Sequence, residues 1–177
     1  KVAMKNLAKK YGCSAAAIQC WNALQDEIGI MPCAANSLLN EEGLPVVCET
    51  DIHGAVTAIL AEAAGMDETR TFFADWTVRH PDNENGELLQ HCGPWPISCL
   101  DCNSKRPTIG YPLAFDYPGA VESEAKHGEM TLCRFDGDNG EYSLLLGNAK
   151  GVDGPYTKGT YVWVEVKNLK RLEAKIV

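Results

Sequence analysis

Hydrophobic and polar positions keep a helical rhythm in the first third of this chain and lose it afterwards. Over residues 1–11, Met4, Leu7, Ala8 and Tyr11 recur at three- and four-residue spacing, which predicts one apolar helix face closed by Gly12. Cys13 to Cys20 is ambiguous. Ala15-Ala16-Ala17 favours helix, whereas the compact apolar run through Ile18 suits a buried strand; we read a strand, then a helix from about Trp21 to Ile28 stopped by Gly29. Asn36 to Glu42 reads as a short helix ending at Gly43, and Leu44 to Cys48 as a strand. Thr50 or Asp51 stands where a cap belongs for a helix from Ile52 to Ala64, ended by Gly65. Strands separated by helices predict an α/β layer with parallel pairing.

Beyond Met66-Asp67-Glu68 the apolar runs become short and are broken by Gly, Pro, Asn and Asp. They predict strands at Thr71–Ala74, Glu87–Gln90, Gly128–Phe135, Tyr142–Asn148 and Thr160–Val166. Asp136-Gly137-Asp138-Asn139-Gly140 reads as a hairpin turn. Leu169 to Val177 is an amphipathic helical pattern without a stop signal. The expected fold class is therefore α/β: residues 1–67 form the end of a parallel-sheet α/β domain, and residues 68–177 an antiparallel β-barrel-like domain. The start at Lys1 without an initiator Met, and the unstopped last helix, read as a piece of a longer protein.

Composition narrows the partners. At 45% hydrophobic residues the chain has material for a core rather than for disorder. A net charge of −8 argues against a nucleic-acid partner, which asks for a basic face. No apolar run approaches the ~20 residues of a membrane span, and no signal peptide is visible. The eight cysteines, without a secretory signal or a small loop-rich scaffold, read as reduced thiols in a cytoplasm, several of them small buried hydrophobes.

Candidate chemistry sits at run ends. Leu44-Pro45-Val46-Val47-Cys48 leads into Glu49, Thr71-Phe72-Phe73-Ala74 into Asp75, and Leu88-Leu89-Gln90 into His91. Ligands in open α/β sheets gather beyond the carboxyl ends of strands. Two carboxylates and an imidazole delivered that way can converge on one divalent cation and leave positions for a substrate. Each residue alone has an ordinary explanation: Glu49 as first-turn helix residue, Asp75 as strand cap, His91 as structural histidine. Asp51 reads as the helix cap, and His80 and His127 as exposed. Trp21 has two readings, an aromatic wall for a sugar or ordinary core. Cys99-Leu100-Asp101-Cys102 is a C-x-x-C in a Pro-rich stretch. Pairing with Cys92 and Cys133 would make four zinc ligands, but the spacing fits no regular finger, and a structural loop is the simpler reading.

The segments Ile18-Gln19-Cys20-Trp21-Asn22-Ala23-Leu24, Gly29-Ile30-Met31-Pro32-Cys33 and Pro45-Val46-Val47-Cys48-Glu49-Thr50-Asp51-Ile52-His53-Gly54-Ala55 resemble the L-fucose/L-arabinose isomerase superfamily. Ala74-Asp75-Trp76, Leu89-Gln90-His91-Cys92-Gly93 and Gly159 to Val166 continue the resemblance in the same order. It implies α/β domains followed by a β-barrel-like domain, and aldose–ketose interconversion through an enediol. It implies Glu49 and Asp75 as metal ligands and acid–base groups, usually with Mn²⁺, and His91 in or beside the metal site. Trp21, Gln19 and Trp95 are the expected substrate-binding residues, and a homo-oligomer is expected. The family's further late histidine and its N-terminal α/β domain have no counterpart in this sequence. Two other readings stand beside the isomerase: a non-catalytic carbohydrate-binding relative, and a structural zinc module on Cys99 and Cys102.

Overall fold

The computed structural model describes residues 1–66, 68–103, 106–113 and 116–176. Asp67, at the domain boundary read from the sequence, and Val177, at the end of the last helix, lie outside the described residues.

The first part follows the helical rhythm closely. Helix α1 spans Val2–Tyr11 and stops at Gly12. Strand β1 is only Ala16–Ala17, α2 is Ala23–Ile28 and stops at Gly29, and α3 is Cys33–Glu41. Strand β2, Val46–Val47, pairs parallel with β1 in the register Ala16 to Val46. Helix α4 spans Ile52–Ala64, with the Asp51 carboxylate accepting the Gly54 N–H at 2.8 Å. The same carboxylate pairs with Arg134, which ties the start of α4 to the second part of the chain.

In the second part β3 is Asp75–Arg79, β4 Gly86–His91, β5 Thr108–Gly110, β6 Ala120–Glu124, β7 Glu129–Asp138, β8 Glu141–Val152 and β9 Thr160–Val166. They join in the order β3-β4-β9-β6-β5. β9 is the centre. It pairs antiparallel with β4 along one edge; along the other it meets β6 in parallel near its start and β8 antiparallel near its end. Its alternation sorts two layers. Val162, Val164 and Val166 face a core with Leu89, Trp95, Leu100, Val121 and Leu169, while Tyr161 and Trp163 pack with Leu88 on the other side. The hairpin β7–β8 is longer than its apolar runs suggested and turns tightly at Asn139-Gly140, both at positive φ. Helix α5 spans Leu169–Ile176.

One expected strand is absent. Thr71 to Ala74 forms no strand, because side chains occupy its backbone groups: the buried Glu62 carboxylate accepts the Thr71 N–H, and Trp95 Nε1 donates to the Phe73 carbonyl at 2.6 Å. The strand begins only past the end of the expected one, at Asp75. Strands β5 and β6 have no counterpart in the sequence reading, since Ala-Val-Glu-Ser-Glu lacks an apolar run.

The two parts are fastened through α3. Asn40 accepts the Val46 N–H at 2.5 Å and donates to the Pro94 carbonyl at 2.5 Å, and Ser37 donates to the Trp95 carbonyl at 2.6 Å. All three side-chain contacts are buried, so each replaces water that cannot reach. Replacing Asn40 by Leu keeps the volume and orphans Val46 N–H and Pro94 C=O. At about 1–3 kcal/mol for each buried unsatisfied group, the loss is about 2–6 kcal/mol. Urea unfolding of Asn40→Leu measures it, and a change well under 1 kcal/mol would remove Asn40 as the fastener.

Glu87 on β4 is a second buried polar group, with its Oε2 unpartnered. Burial, then the nearby Glu173, push its carboxyl above the usual range, against the opposing pull of Arg79. The folded state therefore holds this proton more tightly than the unfolded chain. Stability from this group is present below the unfolded carboxyl pKa and falls as pH rises through the raised folded value. Glu87→Gln should flatten that fall and leave the chain more stable than wild type at neutral pH. Urea midpoints at acid and neutral pH decide it; an equal pH dependence in both proteins would exclude Glu87 as its source.

Candidate active site

Glu49, Asp75 and His91 line one cleft of about 220 Å³, together with Trp21, Met31 and Cys92. Each arrives by a different local device. Glu49 lies one residue beyond the short strand β2, after Cys48, and with Thr50 sits at positive φ, 61° and 57°. Left-handed backbone in two successive non-glycine residues costs roughly 1–3 kcal/mol each. It turns the chain between β2 and α4 and leaves Glu49 partly exposed in the cleft. Gly54 completes this corner: a Cβ there would stand 2.5 Å from the capping Asp51 oxygen and 3.1 Å from the Phe73 ring. The spacing Cys48-Glu49-Thr50-Asp51-Ile52-His53-Gly54-Ala55 is thus a strand end, a strained turn and a tightly capped helix in succession.

Asp75 reaches the cleft as the first residue of a strand, not the last. It faces Gln90 in the antiparallel β3–β4 pair, so the start of β3 lies beside the end of β4 where His91 sits. His91 is only 3% exposed. Its ring is met edge-on by Phe73 at 5.1 Å between centroids. Nδ1 lies 3.4 Å from the Cys92 sulfur, and Nε2 lies 3.9 Å from Glu49 Oε1 with no hydrogen-bond partner of its own. With the proton on Nδ1, Nε2 presents a buried lone pair to the carboxylates.

The electrostatics agree with a cation-seeking site. Burial raises the Glu49 carboxyl above its ordinary range, and the neighbouring Asp75 adds to this while His91 opposes it. For His91, burial works against protonation, but contact with Cys92 and the charges of Asp75 and Glu49 outweigh it, so its pKa is raised. Two oxygen donors and one imidazole nitrogen, the last unpartnered and buried, form a donor set suited to a hard-to-borderline divalent cation such as Mn²⁺.

The structure therefore brings together Glu49, Asp75, His91 and Trp21, the last 46% exposed on the cleft wall. It does not bring Trp95 there. That indole, expected to contact substrate, is fully buried, packed on Phe72 at 4.3 Å and bonded to the Phe73 carbonyl. It shapes the segment before Asp75 instead of touching the cleft. Gln19 is exposed beside Cys20 and is not among the described residues of the wall. Cys102 is exposed, the Cys99 sulfur faces the Arg70 carbonyl at 3.9 Å, and neither joins a metal-ligand group among the described residues. A larger groove of about 1120 Å³ between α4 and the β7–β8 hairpin is mainly apolar and holds none of Glu49, Asp75 and His91. Sequence reasoning missed Cys48 and Cys92 at this site. Their signal was adjacency, since each directly neighbours a candidate ligand.

No protein-family model matches the chain. It is 33% identical over 155 residues to proteins named sulfoquinovose isomerase from Priestia aryabhattai and Priestia megaterium, an overlap of 86% of this chain and 34% of each relative. A protein of the same name from Alkalicoccus urumqiensis is 29% identical over 168 residues, 93% of this chain and 37% of that protein. The chain spans about a third of the length of the curated relatives it matches. The likeness is to sugar isomerases, which supports the broader resemblance read from the sequence; fucose and arabinose appear in none of these names.

Gly159 holds His91 from behind. It has φ +83°, and a Cβ there would fall 2.3 Å from the His91 carbonyl oxygen. That carbonyl also accepts from Gln90 and Thr160 side chains at 3.2 and 3.4 Å. Gly159→Ala should therefore cost about 1–3 kcal/mol in strain and displace His91, weakening Mn²⁺ binding as well. Titration with Mn²⁺ alongside thermal unfolding checks both; an unchanged affinity would show that His91 is positioned by other contacts.

Proposed function

We propose that the Glu49, Asp75 and His91 cleft is the metal-dependent site of an aldose–ketose isomerase. The observation that carries this reading is the buried, unpartnered Nε2 of His91 facing Glu49 at 3.9 Å in a cleft shared with Asp75. Such an atom is costly to bury without a partner, and a cation is the partner that all three donors have in common. The named relatives support the same reaction class.

A divalent cation bound there supplies a Lewis acid and a template for two adjacent sugar oxygens. Nε2 of His91 and the carboxylates of Glu49 and Asp75 hold it. Interconversion also requires one proton to move between C1 and C2 and another between O1 and O2. Glu49 is the residue we assign to the carbon proton, because its side chain is 44% exposed in the cleft where the sugar would lie. Asp75, on the neighbouring wall, serves the hydroxyl proton. Trp21 and Met31 supply apolar surface for the C–H faces of the sugar and exclude water from the enediol.

Sulfoquinovose, from the relatives' name, is the first sugar to test, with L-fucose and L-arabinose as comparators. Two measurements decide the reading. Mn²⁺ should bind the wild-type chain and be lost in Asp75→Ala, read by the paramagnetic resonance of the free ion. Deuterium uptake at the sugar carbon in heavy water should fall by about 10²–10⁴ in Glu49→Gln. Mn²⁺ binding indifferent to Asp75, or near-normal turnover in Glu49→Gln, would sink the assignment.

A further inference from the structure

Behind the carboxylates the fold gathers a layer of thiols that the isomerase reading does not use. Cys20, Cys33 and Cys48 have no exposed surface, and Cys92 is half-buried at the cleft wall. The Cys92 sulfur lies 3.1 Å from that of Cys33 and 3.4 Å from His91 Nδ1. One ligand atom each from Cys48, Cys92 and His91 falls within 4.8 Å of the others. Cys48 follows β2, while His91 ends β4 and Cys92 follows it, so the cluster joins both parts of the fold.

We propose that Cys48, Cys92 and Nδ1 of His91 form a second cation site, for a thiophilic divalent ion of the zinc or cadmium kind, directly behind the carboxylate cleft. Ligand atoms around a tetrahedral zinc stand roughly 3.5–4 Å apart, given bonds of about 2.0–2.3 Å, so the three atoms are already near the required spacing. The donor chemistry differs from that of the cleft. Sulfur and imidazole select a soft or borderline ion, whereas carboxylate oxygens select a hard one. His91 is shared: with Nδ1 on the thiophilic ion the ring proton lies on Nε2, facing Glu49, so the two cations are alternatives at this ring. Cys33, whose sulfur already touches that of Cys92, is the nearest group for a fourth position. Asn36 Nδ2, 3.8 Å from the Cys48 sulfur, is placed to orient that ligand from outside, as supporting hydrogen bonds do in metal sites.

The site shares His91 with the isomerase reading, but its sulfur ligands, Cys48 and Cys92, are not ligands there. The test is a cadmium titration of the chain in a phosphine reductant, which keeps Cys33 and Cys92 reduced and adds no thiols. Cys13→Ser with Cys102→Ser removes the exposed thiols and should leave binding unchanged. The expected result is an ultraviolet thiolate-to-cadmium band saturating at a single equivalent. Cys48→Ser or Cys92→Ser should weaken the affinity at least tenfold. No band, or one indifferent to both substitutions, overturns the proposal. Should those variants fail to fold, X-ray absorption of the cadmium-loaded wild-type chain decides. A shell of sulfur with an imidazole nitrogen supports the site, and a shell of oxygen alone overturns it. Mn²⁺ binding to Glu49 and Asp75 is read separately, and its failure leaves the thiol site untouched.

Discussion

The amide of Asn40 is the contact on which the cleft depends. One side chain accepts the first N–H of β2 and donates to the Pro94 carbonyl just past β4. It thereby fixes the strand that delivers Glu49 against the strand that delivers His91. Strand β2 could not do so alone: it is two residues long, and its strand partner among the described residues, β1, is equally short. A pairing of that length contributes little, so the position of Glu49 is set by buried side-chain hydrogen bonds rather than by a sheet. Such contacts are directional and lose most of their value when slightly misaligned, which suits a site needing its donors in fixed places.

The corner between β2 and α4 shows strain and support side by side. Glu49 and Thr50 occupy left-handed backbone that neither residue favours. The following helix holds them there. Its cap carboxylate binds Gly54 and pairs with Arg134, and Thr57 accepts the Phe135 N–H at 2.9 Å. Helix α4 is thus clamped to β7 over more than one turn, and the strained pair is confined between that clamp and the Asn40 contact. Strain kept at one corner by over-determined surroundings is a recurring sign of a functional position.

Where local chemistry decides the structure, the sequence was legible. The Asp51 cap, the helix Ile52–Ala64 and its Gly65 stop come out residue for residue, because a capping carboxylate and a terminal glycine act within one turn. The strand Thr160–Val166 was equally plain from its β-branched and aromatic residues. Asp75 was a different matter. It lines the cleft with Glu49 and His91 although Thr71–Ala74 forms no strand. What sets that segment are Glu62 and Trp95, distant in sequence and silent in any local pattern. Trp95 was expected at the substrate from the resemblance, yet Asn40 and Ser37 hold its stretch in the core. The thiol layer escaped because four cysteines spread over residues 20 to 92 have no spacing that suggests convergence.

The imidazole of His91 ties these parts together. It is buried deeply enough that each nitrogen must find a partner in the protein or bear the cost of having none, about 1–3 kcal/mol for an unsatisfied group. Nδ1 has the sulfur of Cys92; Nε2 has none. A fold selected for stability alone would turn a donor toward Nε2 or place an apolar side chain there. Here the facing group is instead a carboxylate, itself made costly to ionise by burial and by a second carboxylate nearby. These separate costs become one compensated arrangement when a cation lies among the three groups, because the same charge stabilises both carboxylates and accepts the lone pair. The instability of the empty arrangement and its affinity for a cation are therefore two descriptions of the same geometry.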